Sequence, residues 1–290
     1  MSTHTRDLEG KVALITGASR GIGAAVALRL AQAGCRVAVA AKTVDPNPDL
    51  PGTIGEVAEA IEAMGGQALA VRMDVRDADM VRAGVEATVA RFGRLDIAIH
   101  NAGALWWKPI ADTPVERYDL VHGVNARAAY ALAHAALPHL KAAGGGHFLT
   151  MSPPISTDVI GGKTAYMLSK FGMTMVALGL AAEHARDGIA GNALWPETAI
   201  ESAATRHFKF GTPAQWYKAD LVADATYEVV RRDPRQRTGQ ALWVMEVLRE
   251  AGVTDFVPYR CVEGSEPPPI NAMRMPRAGG RETAGGKVVE

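Results

Sequence analysis

Tyr166-Met167-Leu168-Ser169-Lys170 opens a long run of helical periodicity, and a separation of four residues sets the phenol and the ammonium on one face, one turn apart. That pairing suits proton transfer to an oxygen that gains or loses charge. A free phenol titrates near ~10, and a cation beside it favours the phenolate and brings proton exchange toward neutral pH. The bare pattern also arises by chance on helix surfaces, so its meaning depends on what else the chain brings to it.

A second group of residues addresses an anion. Thr16-Gly17-Ala18-Ser19-Arg20-Gly21-Ile22-Gly23 follows an apolar run and precedes a helical one, Ala24 to Ala33. A strand that turns sharply into a helix presents unpaired N–H groups and the positive end of the helix dipole, and glycines let a pyrophosphate approach the backbone. The spacing is Gly-x-x-x-Gly-x-Gly, different from the common Gly-x-Gly-x-x-Gly. Gly17, Ser19, Arg20, Gly21, Ile22 and Gly23 are therefore candidates for dinucleotide contact, the plain alternative being a glycine-rich turn without a ligand. The second strand ends in Ala41-Lys42-Thr43, where an acid would accept from a ribose 2′-hydroxyl. Lys42 and Arg20 could instead pair with a 2′-phosphate, which favours NADP(H) over NAD; as solvated surface charges they would confer no preference.

Taken in order, the glycine turn, Asp74-Val75, Asn101-Ala102-Gly103 and Tyr166-x-x-x-Lys170 resemble the short-chain dehydrogenase/reductase family. The resemblance implies a Rossmann-type α/β fold, a doubly wound parallel sheet of about seven strands with helices on both faces. It implies an NAD(P)-dependent oxidoreductase interconverting a carbonyl and a secondary alcohol, with Tyr166 as general acid and base. Lys170 would lower the phenol's pKa and hold the nicotinamide ribose. Asp74 would accept from the adenine amino group with Val75 alongside, and Asn101, Ala102 and Gly103 would lie by the cofactor. Asn125, in Val124-Asn125-Ala126, would kink a helix and hold a water that links the lysine to solvent.

Two departures from the family pattern are visible. The usual Ser-Ser after the fifth strand is Met151-Ser152-Pro153-Pro154, which leaves Ser152 one position early as the catalytic hydroxyl and Ser156 as a second candidate. The usual Pro-Gly after the sixth strand is Pro196-Glu197-Thr198, which passes the carboxamide contact to Thr198 or to backbone near Ile200. With Ala40 to Thr43 and Ala193-Leu194-Trp195-Pro196, these features look like the hydroxysteroid dehydrogenase-like group, whose longer members carry a sterol-carrier domain not expected here. The displaced serine keeps open a second reading, a dinucleotide-binding protein with little turnover. An epimerase or dehydratase would need a larger substrate region after the sixth strand.

The elements that must position these residues alternate strand and helix, the signature of βαβ units. Strands are expected at Lys11 to Thr16, Arg36 to Ala41, Ala68 to Arg72, Leu95 to Asn101, His147 to Ser152, Ile189 to Trp195 and Ala241 to Met245. Thr113-Pro114-Val115-Glu116 and Thr212-Pro213-Ala214-Gln215 each read as a capped helix start with proline at the first turn. Residues 1–263 are expected to form one dinucleotide-binding and catalytic domain, and the Pro/Gly-rich stretch 264–290 a tail that cannot offset its ordering entropy. Trp106, Trp107, Trp195, Trp216 and Tyr217 are candidates to line an apolar pocket, or else core and subunit contacts.

Bulk properties narrow the partners. Lys plus Arg and Asp plus Glu balance at 31 each in 290 residues, so no net field draws nucleic acid or an acidic membrane. Two distant cysteines, Cys35 and Cys261, suggest a reducing, cytoplasmic setting. The longest apolar run, near Met173 to Ala182, is shorter than a bilayer span. Neither the eight histidines nor any Gly-x-Ser-x-Gly elbow supplies a metal or hydrolase motif. A small carbonyl or alcohol substrate is expected, and the resemblance implies a homodimer or homotetramer built on helices around Asn125 to Lys141 and Tyr166 to Ala185.

Overall fold

Runs that are apolar at nearly every position, rather than alternately, demand cover on both faces of a sheet. In the computed structural model, which describes residues 6–270 apart from 49, 157–158 and 208–209, they receive it. The first half runs β1 (Val12–Thr16), α1 (Gly21–Gln32), β2 (Arg36–Ala41), α2 (Ile54–Ala63), β3 (Ala68–Arg72), α3 (Ala78–Phe92), β4 (Ile97–His100), α4 (Val115–His122) and α5 (Ala128–Ala142). The second runs β5 (Gly146–Met151), α6 (Thr164–His184), β6 (Ile189–Trp195), β7 (Ala199–Ile200), α7 (Ala203–His207), β8 (Trp216–Tyr217), α8 (Asp220–Val230), β9 (Gln240–Trp243) and α9 (Val244–Glu250).

The seven expected strands form one parallel sheet in the order β3-β2-β1-β4-β5-β6-β9. Two buried apolar clusters lie on its two faces, one beneath α1, α2 and α8 and the other beneath α3, α5 and α6. The order reverses between β1 and β4, which opens a crevice at the carboxyl ends of those strands. There the glycine turn and Asn101 face each other.

Several local expectations are corrected. The last strand stops at Trp243 instead of Met245, because the Met245 N–H donates to the Glu197 carboxylate and starts α9. Pro114 caps α4 rather than opening it, while the Thr113 hydroxyl turns back to donate to the Pro109 carbonyl (2.8 Å). Thr212 and Gln215 form the expected reciprocal cap, with proline in the first turn, but what begins there is a three-residue 3₁₀ turn, Pro213–Gln215, which leads into β8. A further reciprocal cap is at Thr53 and Glu56, where each side chain satisfies the other's backbone N–H. The stretch from 264 was expected to lack burial, yet up to Ile270 it packs back. Pro269 bridges Thr198, and the Ile270 N–H donates to the Glu197 carbonyl at 2.6 Å. The remainder of that stretch, 271–290, lies outside the described residues.

Helix α6 and the turn after it, Thr164–Asp187, reach a mean hydropathy of 1.3 over a length that matches a bilayer span, but half of that window is buried within the fold. Its apolar character serves the core. At the opposite, amino-terminal edge of the sheet, Asp96 is 2% exposed and ties β1 to β4. It accepts from Val12 N (3.0 Å), Lys11 Nζ (3.1 Å) and the Arg94 guanidinium (2.7 and 2.8 Å). Burial alone would raise its pKa, but the hydrogen bonds from Arg94 and Lys11 outweigh it and hold the carboxyl below its usual range. A carboxyl depressed in the fold adds stability that is present above its unfolded pKa and lost as pH falls through the folded one.

Replacing Asp96 with alanine leaves two cations and a strand N–H without their acceptor. Asp96→Ala is expected to lower the unfolding free energy by about 3 kcal/mol at neutral pH, read from urea melts, with the gap between variant and parent closing in acid. A neutral-pH loss below about 0.5 kcal/mol would contradict this account.

Candidate active site

The turn from β1 to α1 places Gly17 at φ +65°, a left-handed conformation, and a Cβ there would come within 2.7 Å of the Ala102 Cα. A Cβ at Gly23 would collide with the Gly17 carbonyl and the Asn101 amide. Both glycines are thus required by close backbone approach. Asn101 fixes the turn from across the crevice, its Nδ2 donating to the carbonyls of Thr16 (3.1 Å) and Gly17 (3.0 Å). In return the Thr16 hydroxyl oxygen accepts from Asn101 N and Ala102 N, each at 3.2 Å. Helix α1 begins at Gly21 with no side-chain cap and no acid in its first turn, so its leading N–H groups face the crevice open to an anion. Ser19 is buried at the turn, and Ile22 packs against the core behind it.

The residues read as selecting the cofactor are arranged differently from expectation. The Arg20 guanidinium is not free for a phosphate: it donates to the carbonyls of Leu50, Pro51 and Gly52 at 3.0, 3.0 and 2.6 Å. Lys42 is exposed at the end of β2. Asp74 is gripped by Arg76 through Nε (3.0 Å) and a terminal nitrogen (2.6 Å), and these bonds hold its carboxyl down to about 2. The carboxylate is ionised but already shared, whereas Val75 is buried at its side.

Tyr166 and Lys170, the candidate proton-transfer pair, lie on α6. Lys170 is 7% exposed, and its Nζ donates to the Met151 carbonyl at 3.0 Å and lies 5.9 Å from the centroid of the Tyr166 ring. Gly103 leaves space beside it, since a Cβ there would sit 3.4 Å from that Nζ. Burial pushes the Lys170 ammonium down to about 8 and the Tyr166 phenol upward. Asn125 lies in a π-helical turn, Gly123–Arg127, between α4 and α5. Its side chain accepts from Ala104 N (2.8 Å) and donates to Ala104 O (3.0 Å) and to Ser169 Oγ (2.8 Å). It therefore fastens the loop after β4 to the helix that carries Tyr166.

Ser152 does not take the position expected of it. Its hydroxyl is buried and paired with Thr174 Oγ1 at 2.9 Å, two turns beyond Tyr166, and Trp195 Nε1 donates to the same Thr174 at 3.2 Å. Pro153 and Pro154 follow it into the loop that bears Ser156. After β6, Pro196 leads to Glu197, whose carboxylate is spent on α9, and to Thr198, whose Oγ1 is buried with no hydrogen-bond partner among the described residues.

The aromatic set divides. Trp107 stands edge-on to Tyr166 with ring centroids 6.0 Å apart, while Trp216 and Tyr217 are buried in β8 and Trp195 packs on Trp243. Trp106 donates to Thr113 Oγ1 at 3.2 Å. Two neighbours of Trp107 were missed: Phe210, 4.5 Å away centroid to centroid, and Lys163, whose Nζ lies 4.6 Å above the ring. Lys163 had a visible signal, a cation at the start of a helix, where the dipole disfavours it. No group of three or more His, Cys, Asp or Glu able to hold a metal occurs among the described residues.

Residues 11–208 match the sequence profile of the short chain dehydrogenases. Hydroxysteroid dehydrogenase-like protein 2 of Danio rerio is 42% identical over 91% of this chain, which spans 64% of that relative's length. A short chain dehydrogenase structure from Mycobacterium thermoresistibile is 42% identical, covers 94% of this chain and 100% of its own, and superposes with a TM-score of 0.85. A metagenomic short-chain oxidoreductase solved in complex with NADP is 27% identical over 82% of this chain and 98% of its own, with a TM-score of 0.69. With more than half its length matched by the profile, the chain belongs to the short-chain dehydrogenase family.

Proposed function

We propose that the chain is an NADP(H)-dependent oxidoreductase that interconverts a carbonyl and a secondary alcohol on a small apolar substrate, with Tyr166 as general acid and base. One observation carries the reading: the phenol and the ammonium lie a turn apart on α6, at the edge of the sheet where Asn101 grips the glycine turn. The groups suited to hold a nicotinamide dinucleotide are the Gly17 and Gly23 cradle, the uncapped start of α1 and the enclosed Thr198 hydroxyl. Bound there, the cofactor supplies or accepts the hydride.

The chain's own part is the proton. In the reducing direction Tyr166 Oη gives its proton to the substrate oxygen, and the phenolate left behind is stabilised by the Lys170 charge; oxidation runs the transfer backward. Burial keeps the phenol protonated at rest, so the donor form is ready. Lys170, at about 8, is mainly cationic at neutral pH and loses that charge above it. Preference for NADP(H) is supported by the absence of an acid at the end of β2 and by exposed Lys42, and a relative was solved with NADP. Arg20 contributes by shaping the adjoining loop.

The pairing of Ser152 with Thr174 favours a second reading, a dinucleotide-binding protein with little turnover. Turnover of reduced cofactor against a panel of ketones and aldehydes separates the two. We further propose a homodimer or homotetramer, because Leu168, Phe171 and Met175 line an exposed apolar stripe of α6, with Tyr130 exposed on α5.

Tyr166→Phe is expected to lower kcat by at least about 100-fold with little change in cofactor affinity; a variant within a few-fold of the parent refutes the role. The kcat/KM for reduction should be level on the neutral side and decline above about 8, as Lys170 deprotonates, whereas a profile flat well beyond that value contradicts it. Lys42→Asp should cost about 10-fold in NADPH affinity relative to NADH, and equal affinity of the unaltered protein for both cofactors rules the preference out. Phe171→Glu should shift the protein toward monomer in light scattering. A parent that is already monomeric would dispose of the assembly.

A further inference from the structure

Lys163 occupies the N-cap of α6, three residues before Tyr166, and provides no side-chain cap. The helix dipole presents its positive end there, which repels an ammonium. Water does little to relieve it, since Lys163 is only 8% exposed. Among the described residues no acid stands beside it, and burial lowers the affinity of the ammonium for its proton. Its Nζ lies over the Trp107 ring, 4.6 Å from the centroid. A π-face attracts a cation but does not replace a counter-ion. The same indole has its own unmet need, because Trp107 Nε1 is enclosed without an acceptor.

A buried ammonium and an indole N–H, neither with an acceptor among the described residues, therefore meet beside the phenol that we read as the proton donor, Trp107 being edge-on to Tyr166 at 6.0 Å. Phe210, 4.5 Å from Trp107, adds an apolar wall. The general field of the protein does not account for an anion preference here, because its charges balance at 31 of each sign. We propose that Lys163 and Trp107 form a subsite for an anionic group of the substrate, so that the protein acts on amphiphilic carbonyl compounds bearing a carboxylate or phosphate. This rests on the reading of Tyr166 as the proton donor. The anion satisfies the ammonium and the indole N–H, the apolar body lies against Trp107 and Phe210, and the reacting carbon is held toward Tyr166.

The test is calorimetric titration of the full chain with octanoate, octyl phosphate and neutral octanamide. Both anions are expected to bind about 10-fold or more tightly than the amide, and the tighter of the two identifies the head group. In Lys163→Met and Lys163→Gln the anions should fall to the affinity of the amide, while Lys163→Arg keeps most of the difference. Equal binding of the three ligands by the unaltered protein overturns the subsite, as does a neutral substitution that retains the anion preference. Failure of the oxidoreductase reading is distinguishable: reduced cofactor would persist with every carbonyl compound while octanoate still discriminated.

Discussion

The Lys170 ammonium lies inside the protein with the Met151 carbonyl as its hydrogen-bond acceptor and, among the described residues, no carboxylate paired with it. Its charge is held by dipoles, at the cost of a lowered affinity for its proton. A carboxylate beside it would neutralise the field that a neighbouring phenolate needs. Much of the surrounding architecture follows from keeping that ammonium enclosed but unpaired. Strand β5 must end where its last carbonyl meets the lysine, and the loop after β4 must close over it.

Asn125 meets the last of these demands. A regular helix from α4 into α5 would carry its carboxamide past the loop, whereas the π-helical turn widens the backbone and turns the side chain inward. From there it binds both backbone groups of Ala104 and the Ser169 hydroxyl on α6. Asn101 does the corresponding work between β4 and the glycine turn. Two amide side chains thus join four segments that are distant in sequence, each bonding to main chain, so the geometry of the crevice depends little on surface detail.

The fold was largely legible because strands buried on both faces leave an unmistakable apolar run, and because the motifs fall in order at their carboxyl ends. Residues whose partners are backbone groups of neighbouring strands, such as Gly17, Asn101 and Lys170, came together as expected. Those whose direction is decided by distant side chains did not. Ser152 turns toward Thr174 on α6, a preference that nothing local to Met151-Ser152-Pro153-Pro154 announces. Glu197, which replaces a usual glycine, acts at the start of α9, so its effect appears in the boundary of β9. The five aromatic candidates separated because Trp195 ends β6 and Trp216 and Tyr217 form β8, while only Trp106 and Trp107 lie on a loop, and Phe210 joined Trp107 by the path of a loop without periodicity.

Arg20 bears on how this surface can vary. It secures the segment after β2 through three main-chain carbonyls, and side-chain identity at Leu50 and Pro51 does not enter those bonds. Gly52 is different, because its φ of +105° and the nearby Ser19 carbonyl leave no room for a Cβ. The segment therefore keeps its course while most of its lettering drifts, an arrangement in which new specificities can be tried on the rim without disturbing the hinge pin beneath.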